Sequence, residues 1–362
     1  METRGLVFIP DISGFTRFVS ETEISHSRLI IQELLEVLIQ SNKIGLKVSE
    51  IEGDAILFYR YGDAPPLEEL YGQVEDMFRE FHRCLAGYNA YRFCQCKACL
   101  SAVNLSLKVI THYGEFTEYR VRDFSKLIGK DIIVAHQLLK NDIEQHEYWL
   151  LTPGLAARQP LPPLTRWMQW EYSVKKVDHG EIPFHYTQLS SLKKELPPLP
   201  PLRLEIADKV RICSVTREYR THIIKLFHAA GDFSYRPRWQ TGVRRVEEVS
   251  HFLPRVGMKC RRITDSGSTV FYASGYTFHP ERIEFSETDE DQKNAYYFRL
   301  EDTGGGKVRL TIDYYIRKNI FRQLALSLKK ASMIRTLEQS LQRLEQLLPA
   351  IRVPEAQTIP DQ

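Results

Sequence analysis

The sequence predicts two α+β domains joined by a proline-rich linker, and three observations support this fold class. The chain has 362 residues, more than one ordinary domain needs and suitable for two. Apolar strand-like runs alternate with helical segments in both halves. Residues 190–202 are polar and then rich in proline, which favours an extended connection. We therefore expect a first domain over 1–189, a linker over 190–202, a second domain over 203–348 and a polar tail over 349–362.

The composition is that of an ordinary globular protein, with 43% hydrophobic and 26% charged residues. A net charge of +3 gives no reason to expect a nucleic-acid partner. No apolar stretch is long enough to cross a bilayer, and no signal peptide is recognisable. Six cysteines are too few for a disulfide scaffold. We expect a cytoplasmic protein without a transmembrane segment.

The first domain begins with an apolar strand that ends in the sequence DISGF. A helix follows, and then two short strands flank a Gly-Asp turn in LKVSEIEGDAILFYR. Another helix, a strand over VNLSLKVITHYGEF and a helix over IIVAHQLLKND complete the pattern. This order is typical of an α/β sandwich with a ferredoxin-like core and helices on one face.

Two aspartates in this pattern indicate a metal site. Asp11 ends the first strand, and Asp54 lies at the tip of the hairpin. If these strands are neighbours, the two carboxylates converge and offer the hard oxygen ligands that Mg²⁺ or Mn²⁺ requires. Backbone N–H groups at Gly14, Phe15 and Thr16, where the next segment turns into a helix, can hold phosphate oxygens. Each aspartate alone is more typical of a turn or cap, but together they indicate a two-metal phosphoryl-transfer site.

The segments DISGFTRF, SEIEGDAILF, THYGE and FSKLIGKDIIVAHQLL resemble, in order, the motifs of class III adenylyl and guanylyl cyclases. The resemblance covers about residues 5–140. It implies a signalling enzyme that binds a nucleoside triphosphate and holds its metals with Asp11, the carbonyl of Ile12 and Asp54. It also implies a homodimer, because class III sites form at dimer interfaces.

The same resemblance places Glu50 and Lys126 at the two base-selecting positions. A carboxylate accepts from the N1–H and N2–H groups of guanine, and a lysine donates to O6, so the pair slightly favours GTP. Adenine can use the same two side chains. A buried ion pair between Glu50 and Lys126 is an equally good interpretation.

The sequence departs from the cyclase pattern at two catalytic positions, where Ile133 and Gln137 replace the usual Asn and Arg. An arginine on developing phosphate charge is worth roughly 10³–10⁵ in rate. Basic side chains nearby are candidate substitutes: Arg120, Arg122, Lys130 and Lys140. Two hypotheses follow: an active cyclase that makes a cyclic purine nucleotide, or a nucleotide sensor without turnover.

Three cysteines, Cys94, Cys96 and Cys99, form a cluster that is not part of the cyclase pattern. Three thiolates at this spacing can bind Zn²⁺ if a fourth ligand is present. The candidate fourth ligands are Cys84, His82 and His112. Reduced thiols with no shared role are the alternative.

The second domain reads as a strand, a helix over 217–227, several strands and a long helix from 319 to 348. This order resembles the START-like (SRPBCC) helix-grip fold over about 203–346, which implies a pocket for a small apolar ligand. We find no catalytic pair here, so a third hypothesis is a small-molecule or lipid-binding protein. Aromatic residues that line a pocket or simply fill the core are Phe271, Tyr272, Tyr276, Tyr296, Tyr297, Tyr314 and Tyr315.

The closing helix carries an apolar seam that alternates by three and four residues. The seam either pairs with a second chain or packs on its own sheet. Its residues are Ile334, Leu337, Leu341, Leu344 and Leu348.

Overall fold

The computed structural model describes residues 4–92, 96–156, 161–178, 180–199, 206–249 and 256–351. The chain forms two compact units, Met1–Gly87 with Ser101–Leu199, and Tyr88–Leu100 with Pro200–Gln362. Both units mix helices and sheet, which confirms the predicted α+β class. None of the helices within the described residues is both long and apolar enough to span a bilayer.

The first unit is built on a seven-stranded sheet. The strands in chain order are β1 (Arg4–Ser13), β2 (Lys47–Glu52), β3 (Ala55–Tyr61), β4 (Ser106–Glu115), β5 (Thr117–Val121), β6 (Phe124–Ile128), β7 (Tyr148–Leu151), β8 (Glu171–Val177) and β9 (Gly180–Gln188). The sheet order is β2-β3-β1-β4-β7-β9-β8, while β5 and β6 form a separate hairpin. All neighbours are antiparallel except β4 and β7. The order of the first four strands is that of a ferredoxin-like core.

Helices lie between these strands. In chain order they are α1 (Phe15–Glu21), α2 (Ile24–Gln40), α3 (Leu67–Tyr91), α4 (Lys97–Ser101) and α5 (Lys130–Leu139). The last residues of α3 and most of α4 belong to the second unit. Both faces of β1 are buried, since Val7 and Ile9 point to one side and Leu6 and Phe8 to the other. Helix α5 packs on β1 and β4, on the side of Val7 and Ile9. Asp11 has the same parity along β1 and therefore faces the α5 side.

Regular structure continues in the first unit after β9, its last strand. A short 3₁₀ helix spans Ser190–Glu195, and its Leu192 is buried. Residues 200–205, which include the last three residues of the predicted linker, lie outside the described residues.

The second unit is a curled antiparallel sheet with a long closing helix. Its strands are β10 (Lys209–Arg220), β11 (Val243–Glu248), β12 (Lys259–Thr264), β13 (Gly267–His279), β14 (Arg282–Asp289), β15 (Asn294–Gly304) and β16 (Lys307–Arg317). The sheet order is β10-β16-β15-β14-β13-β12-β11. The helices are α6 (Ile223–Gly231), α7 (Arg236–Trp239) and α8 (Ile320–Leu347). The helix predicted over 217–227 begins only at Ile223, because Arg217–Arg220 pairs with β16 as the end of β10.

The apolar seam of α8 packs on its own domain. Leu341, Leu344 and Leu348 are buried in the main core of this unit, and Ile334 and Leu337 pack against it. The core continues to Ile351, which is buried just before the end of the described residues. The seam therefore already has a partner within the chain.

Candidate functional site

The two predicted metal ligands lie side by side at one end of the β1–β3 pair. Asp11 is opposite Ala55 in the strand register, and Asp54 directly precedes Ala55. The Ile12 N–H donates to the Asp54 carbonyl oxygen over 3.0 Å, which ties the hairpin tip to β1. Gly53 permits the turn because its φ is +62°. The strands are neighbours, as the convergence of the carboxylates requires.

Burial changes the electrostatics of both aspartates. Asp11 is only 8% exposed. Its pKa is raised to about 6, mainly by desolvation; the charge of Lys108 opposes this rise and the charge of Asp54 adds to it. Burial also raises the pKa of Asp54. The ionised forms of both carboxylates are therefore disfavoured, and a bound cation would stabilise them.

Lys108 is a member of this site that the sequence analysis missed. It lies opposite Asp11 on β4, and its Nζ is 3.5 Å from Asp11 Oδ1. The same ammonium donates to the Leu139 carbonyl oxygen at the end of α5, over 3.0 Å. The indication in the sequence was a single charged residue in the otherwise weakly polar strand LSLKVIT.

The donor set fits a divalent cation. Two carboxylates and one ammonium leave a net negative charge. The atoms of Asp11 and Asp54 that can bind a metal are carboxylate oxygens, which divalent cations such as Mg²⁺ prefer. Ser13 lies two residues beyond Asp11 and so points to the same face of β1. Its buried hydroxyl has no hydrogen-bond partner among the described residues. Asp11, Asp54 and the carbonyl of Ile12 are the groups that would hold the metal.

The predicted phosphate turn exists, but its helix is short. Gly14 directly follows β1 and has a φ of +88°, and α1 then spans only 7 residues. Phe15 is half-buried and Thr16 is exposed. Any help from the helix dipole is therefore small, and the turn would contribute mainly through backbone N–H groups.

Glu50 and Lys126 meet as an ion pair. Lys126 Nζ lies 2.6 Å from Glu50 Oε2, and the hydrogen bond to Glu50 raises the pKa of Lys126. The β2–β3 register shifts between Val48 and Glu50, a bulge that re-aims the Glu50 side chain. Side-chain exposure is 16% for Glu50 and 51% for Lys126. The ion pair that the sequence offered as an alternative is thus formed, with the carboxylate largely buried and the ammonium half exposed.

A buried polar network holds the start of α5. Asp131 Oδ1 is 3.0 Å from His112 Nε2, and Asp131 Oδ2 accepts from the Glu115 N–H over 2.6 Å. His112 Nδ1 lies 2.8 Å from the Thr152 hydroxyl. A side chain at Gly114 would place its Cβ 2.2 Å from Asp131 Cγ, so this network requires glycine there. The sequence analysis did not assign this positioning role to Asp131.

The two departures from the cyclase pattern lie on the outward face of α5. Ile133 is 60% exposed and Gln137 is also exposed. Among the candidate substitutes, Lys130 and Lys140 are exposed on the same helix or its end. Arg120 donates to the Arg122 carbonyl oxygen over 2.8 Å and so is used within the hairpin turn.

The cysteine cluster is only partly visible, since Cys94 lies outside the described residues. Cys96 and Cys99 are both buried, and the Cys99 N–H donates to Cys96 Sγ over 3.5 Å. Zinc binding stays a prediction.

The candidate fourth zinc ligands differ in their surroundings. His112 is engaged with Asp131 and Thr152. Burial lowers the pKa of His82 to about 3 and raises that of Cys84 to about 12.

The aromatic residues of the second unit divide between core and cavity. Phe271 and Tyr314 are buried in the core, and Tyr296 packs against both core clusters. Tyr276, Tyr297 and Tyr315 line a cavity of about 390 Å³, together with the charged side chains of Glu284 and Arg299.

Deeper in the second unit lies a buried charge triad. Glu287 accepts hydrogen bonds from both Arg236 and Arg262, and all three are at most 3% exposed. The Arg262 guanidinium lies 4.2 Å from the ring centre of Phe271. One carboxylate thus pairs with two buried guanidinium groups, as in a structural ion-pair triad.

Comparison with known proteins assigns a family but no activity. Residues 31–148 match the family model described as a protein of unknown function, DUF2652. The chain is 30% identical over 178 residues to "Uncharacterized protein Rv2561/Rv2562" of Mycobacterium tuberculosis, which covers 47% of this chain and 77% of that protein. The chain belongs to the family of this mycobacterial protein.

Solved structures similar to part of the chain include cyclase domains. One is the catalytic core of a rhodopsin-guanylyl cyclase with converted specificity, in complex with ATPαS, with 12% identity, a TM-score of 0.37, and coverage of 52% of this chain and 96% of that one. A bacterial light-regulated adenylyl cyclase has 14% identity, a TM-score of 0.37, and coverage of 54% and 96%. The guanylate cyclase domain of RhGC from Catenaria anguillulae, in complex with GTP, has 13% identity, a TM-score of 0.37, and coverage of 52% and 97%.

Proposed function

We propose that the first unit is a divergent class III nucleotidyl cyclase domain that forms a cyclic purine nucleotide from a nucleoside triphosphate, GTP in preference to ATP. The observation that carries the proposal is the convergence of Asp11 and Asp54 in a buried, net negative site at the ends of β1 and β3. The motifs that resemble cyclases supply the same two residues. Two divalent cations, Mg²⁺ or Mn²⁺, are the cofactors of this proposal.

The residues of the chain have distinct roles in this scheme. When bound, the metals would supply Lewis-acid stabilisation of phosphate charge. Asp11 and Asp54 must be ionised to hold them, which Asp11 achieves above pH about 6. Lys108 offsets part of the carboxylate charge and keeps Asp11 oriented. Its ammonium would also be available to donate to a phosphate oxygen of a bound triphosphate.

The base would be read by Glu50 and Lys126. A guanine that enters between them exchanges the ion pair for hydrogen bonds from N1–H and N2–H to Glu50 and from Lys126 to O6. Because Lys126 is half exposed, opening the ion pair costs little in this setting.

A homodimer is part of the proposal, and exposed apolar residues on β2 and the β5–β6 hairpin support it. Their exposed fractions are 43% for Val48, 49% for Ile51, 59% for Val121, 76% for Phe124 and 55% for Ile128. Several exposed apolar side chains on neighbouring elements are typical of an interaction surface. The patch neighbours the Glu50–Lys126 pair, so a second copy there would close the base site.

A second candidate function is nucleotide binding without turnover. The specific observation in its favour is that Ile133 and Gln137 occupy the outward face of α5, where neither can supply a guanidinium fork. The second unit would then report on, or respond to, the bound nucleotide. For this unit we propose a small apolar ligand held between the curled sheet and α8, as in START-like proteins.

The test is product formation by the full-length protein with each purine triphosphate and Mg²⁺ or Mn²⁺. We expect cyclic GTP from the wild type and none from Asp54→Asn. Asp63→Asn is the matched control, because Asp63 is an exposed carboxylate in the loop after β3. Thermal unfolding with GTP and metal separates the two candidates, since binding alone still raises the Tm. If no purine triphosphate yields product or raises the Tm, both candidates fail.

A further inference from the structure

The N-terminal half of α8 exposes an apolar stripe on the side opposite its packed face. Ile320, Phe321, Leu324 and Leu328 are 82%, 86%, 68% and 85% exposed. At about 100° per residue, the four side chains fall within an arc of about 100°. We refer to these four residues as the α8 stripe.

This half of the helix is held firmly with the stripe outward. Its other face packs on a small core cluster through Leu326, Met333, Ile334 and Leu337. Asn319 caps the helix by accepting from the Arg322 N–H over 3.0 Å, and Arg322 Nη2 donates to Asn294 over 2.8 Å. The α8 stripe therefore remains exposed although the helix is packed on its own domain through its other face.

The chain segment that carries the stripe is basic. Residues 314–337 contain six Lys or Arg residues and no Asp or Glu. Lys329, Lys330 and Arg335 are exposed and form no ion pair within the described part of the chain. Exposed aromatic and aliphatic side chains beside basic residues are typical of helices that lie in a membrane interface.

We propose that the α8 stripe docks the protein on an anionic lipid surface. The four apolar side chains enter the boundary between headgroups and acyl chains. Arg335, which lies in line with the stripe, and Lys329 beside it contact lipid phosphates. A second copy of the chain fits less well, because two such faces would bring like charges together. The proposal rests on the second unit alone and does not depend on the proposed cyclase activity.

The experiment is flotation of the full-length protein with two kinds of vesicle. One consists of phosphatidylcholine alone, and the other of equal parts of phosphatidylcholine and phosphatidylglycerol. We expect the protein to float with the anionic vesicles only, and high salt to weaken the binding.

Two double variants test the two halves of the interaction. Phe321→Ser with Leu328→Ser should lower the partition coefficient at least tenfold, because two exposed apolar groups no longer enter the bilayer. Lys329→Gln with Arg335→Gln should lower it about 25-fold, at about fivefold per charge removed. The matched control is Ile24→Ser with Tyr172→Ser, which removes apolar groups that are 79% and 63% exposed in the first unit and should leave partition unchanged.

Three outcomes overturn the proposal. The wild type floats with neither vesicle, or it floats equally well with both. Alternatively, the stripe variant changes the oligomeric state in sedimentation velocity while lipid binding is unaffected, which makes the stripe a protein interface. Unchanged thermal unfolding of each variant shows that lost flotation is not lost folding.

Discussion

At the scale of single residues, Asp11 is a carboxylate on which folding and metal binding make opposite demands. Its folded pKa is about 6, against 3.8 for an ordinary aspartate, because the site is desolvated. The native state therefore holds the proton more tightly than the unfolded chain. Its contribution to stability is greatest at low pH and is lost as the pH rises from about 4 to about 6, by up to about 3 kcal/mol.

We predict that Asp11→Asn removes this pH dependence. The difference in unfolding free energy between variant and wild type should shift in favour of the variant as the pH rises through that window. Urea unfolding at several pH values measures it, and saturating Mg²⁺ should reduce the shift by favouring the ionised wild type. A difference that stays constant with pH would show that Asp11 is not the titrating group.

A second residue-scale prediction concerns Glu287 in the second unit. Glu287→Gln leaves Arg236 and Arg262 buried without a carboxylate, which should cost about 3–5 kcal/mol of unfolding free energy. Glu284→Gln is the control, since Glu284 pairs with Arg282 and Arg299 near the surface and its loss should cost under about 1 kcal/mol. Equal urea midpoints for the two variants would contradict a structural role for the triad.

At the scale of elements, the seating of α5 on β4 depends on Gly114. A methyl group there would lie 2.2 Å from Asp131 Cγ and would displace the start of the helix. We predict that Gly114→Ala lowers the free energy of unfolding by about 1–3 kcal/mol. It should also lower nucleotide affinity, because a shift of α5 moves the Leu139 carbonyl oxygen that accepts the hydrogen bond of Lys108. Gly72→Ala in α3, where a Cβ meets nothing within 4 Å, should be neutral or stabilising in the same assays.

The elements show what local sequence can and cannot predict. The closing helix, predicted over 319–348, was found at Ile320–Leu347 because its periodicity and Asn319 cap are local features. The segment Arg217–Arg220 was predicted as helix from its composition, yet pairing with β16 makes it strand. The β5–β6 hairpin was not predicted, because most of its residues are exposed and its apolar side chains, such as Phe124 and Ile128, form no buried face within the unit.

The same distinction applies to the site. The proximity of Asp11 and Asp54 could be predicted from sequence, because each lies at a strand end or turn with a recognisable motif around it. Lys108 and Asp131 were missed because their roles depend on strand register and helix packing across long chain separations. Residue identity alone could not show that Lys108 lies opposite Asp11.

At the scale of the whole molecule, the proposed activity requires two copies of the chain. The exposed apolar residues of the β5–β6 hairpin, Phe124 and Ile128 foremost, are the surface expected to meet the partner. Burial of each such side chain on association stabilises a dimer by about 1.5–3 kcal/mol. Phe124→Ser with Ile128→Ser should therefore weaken dimerisation by roughly 10²-fold or more.

Sedimentation velocity over a dilution series measures this change, and product formation should fall in parallel with the dimer fraction. Ile24→Ser is the matched control, since Ile24 is 79% exposed in the same unit but lies outside the hairpin, and it should change neither quantity. A wild type that is monomeric at every concentration and still makes product would show that one chain contains the complete site. A double variant that dimerises as well as the wild type would place the interface elsewhere and leave the Glu50–Lys126 pair open to solvent.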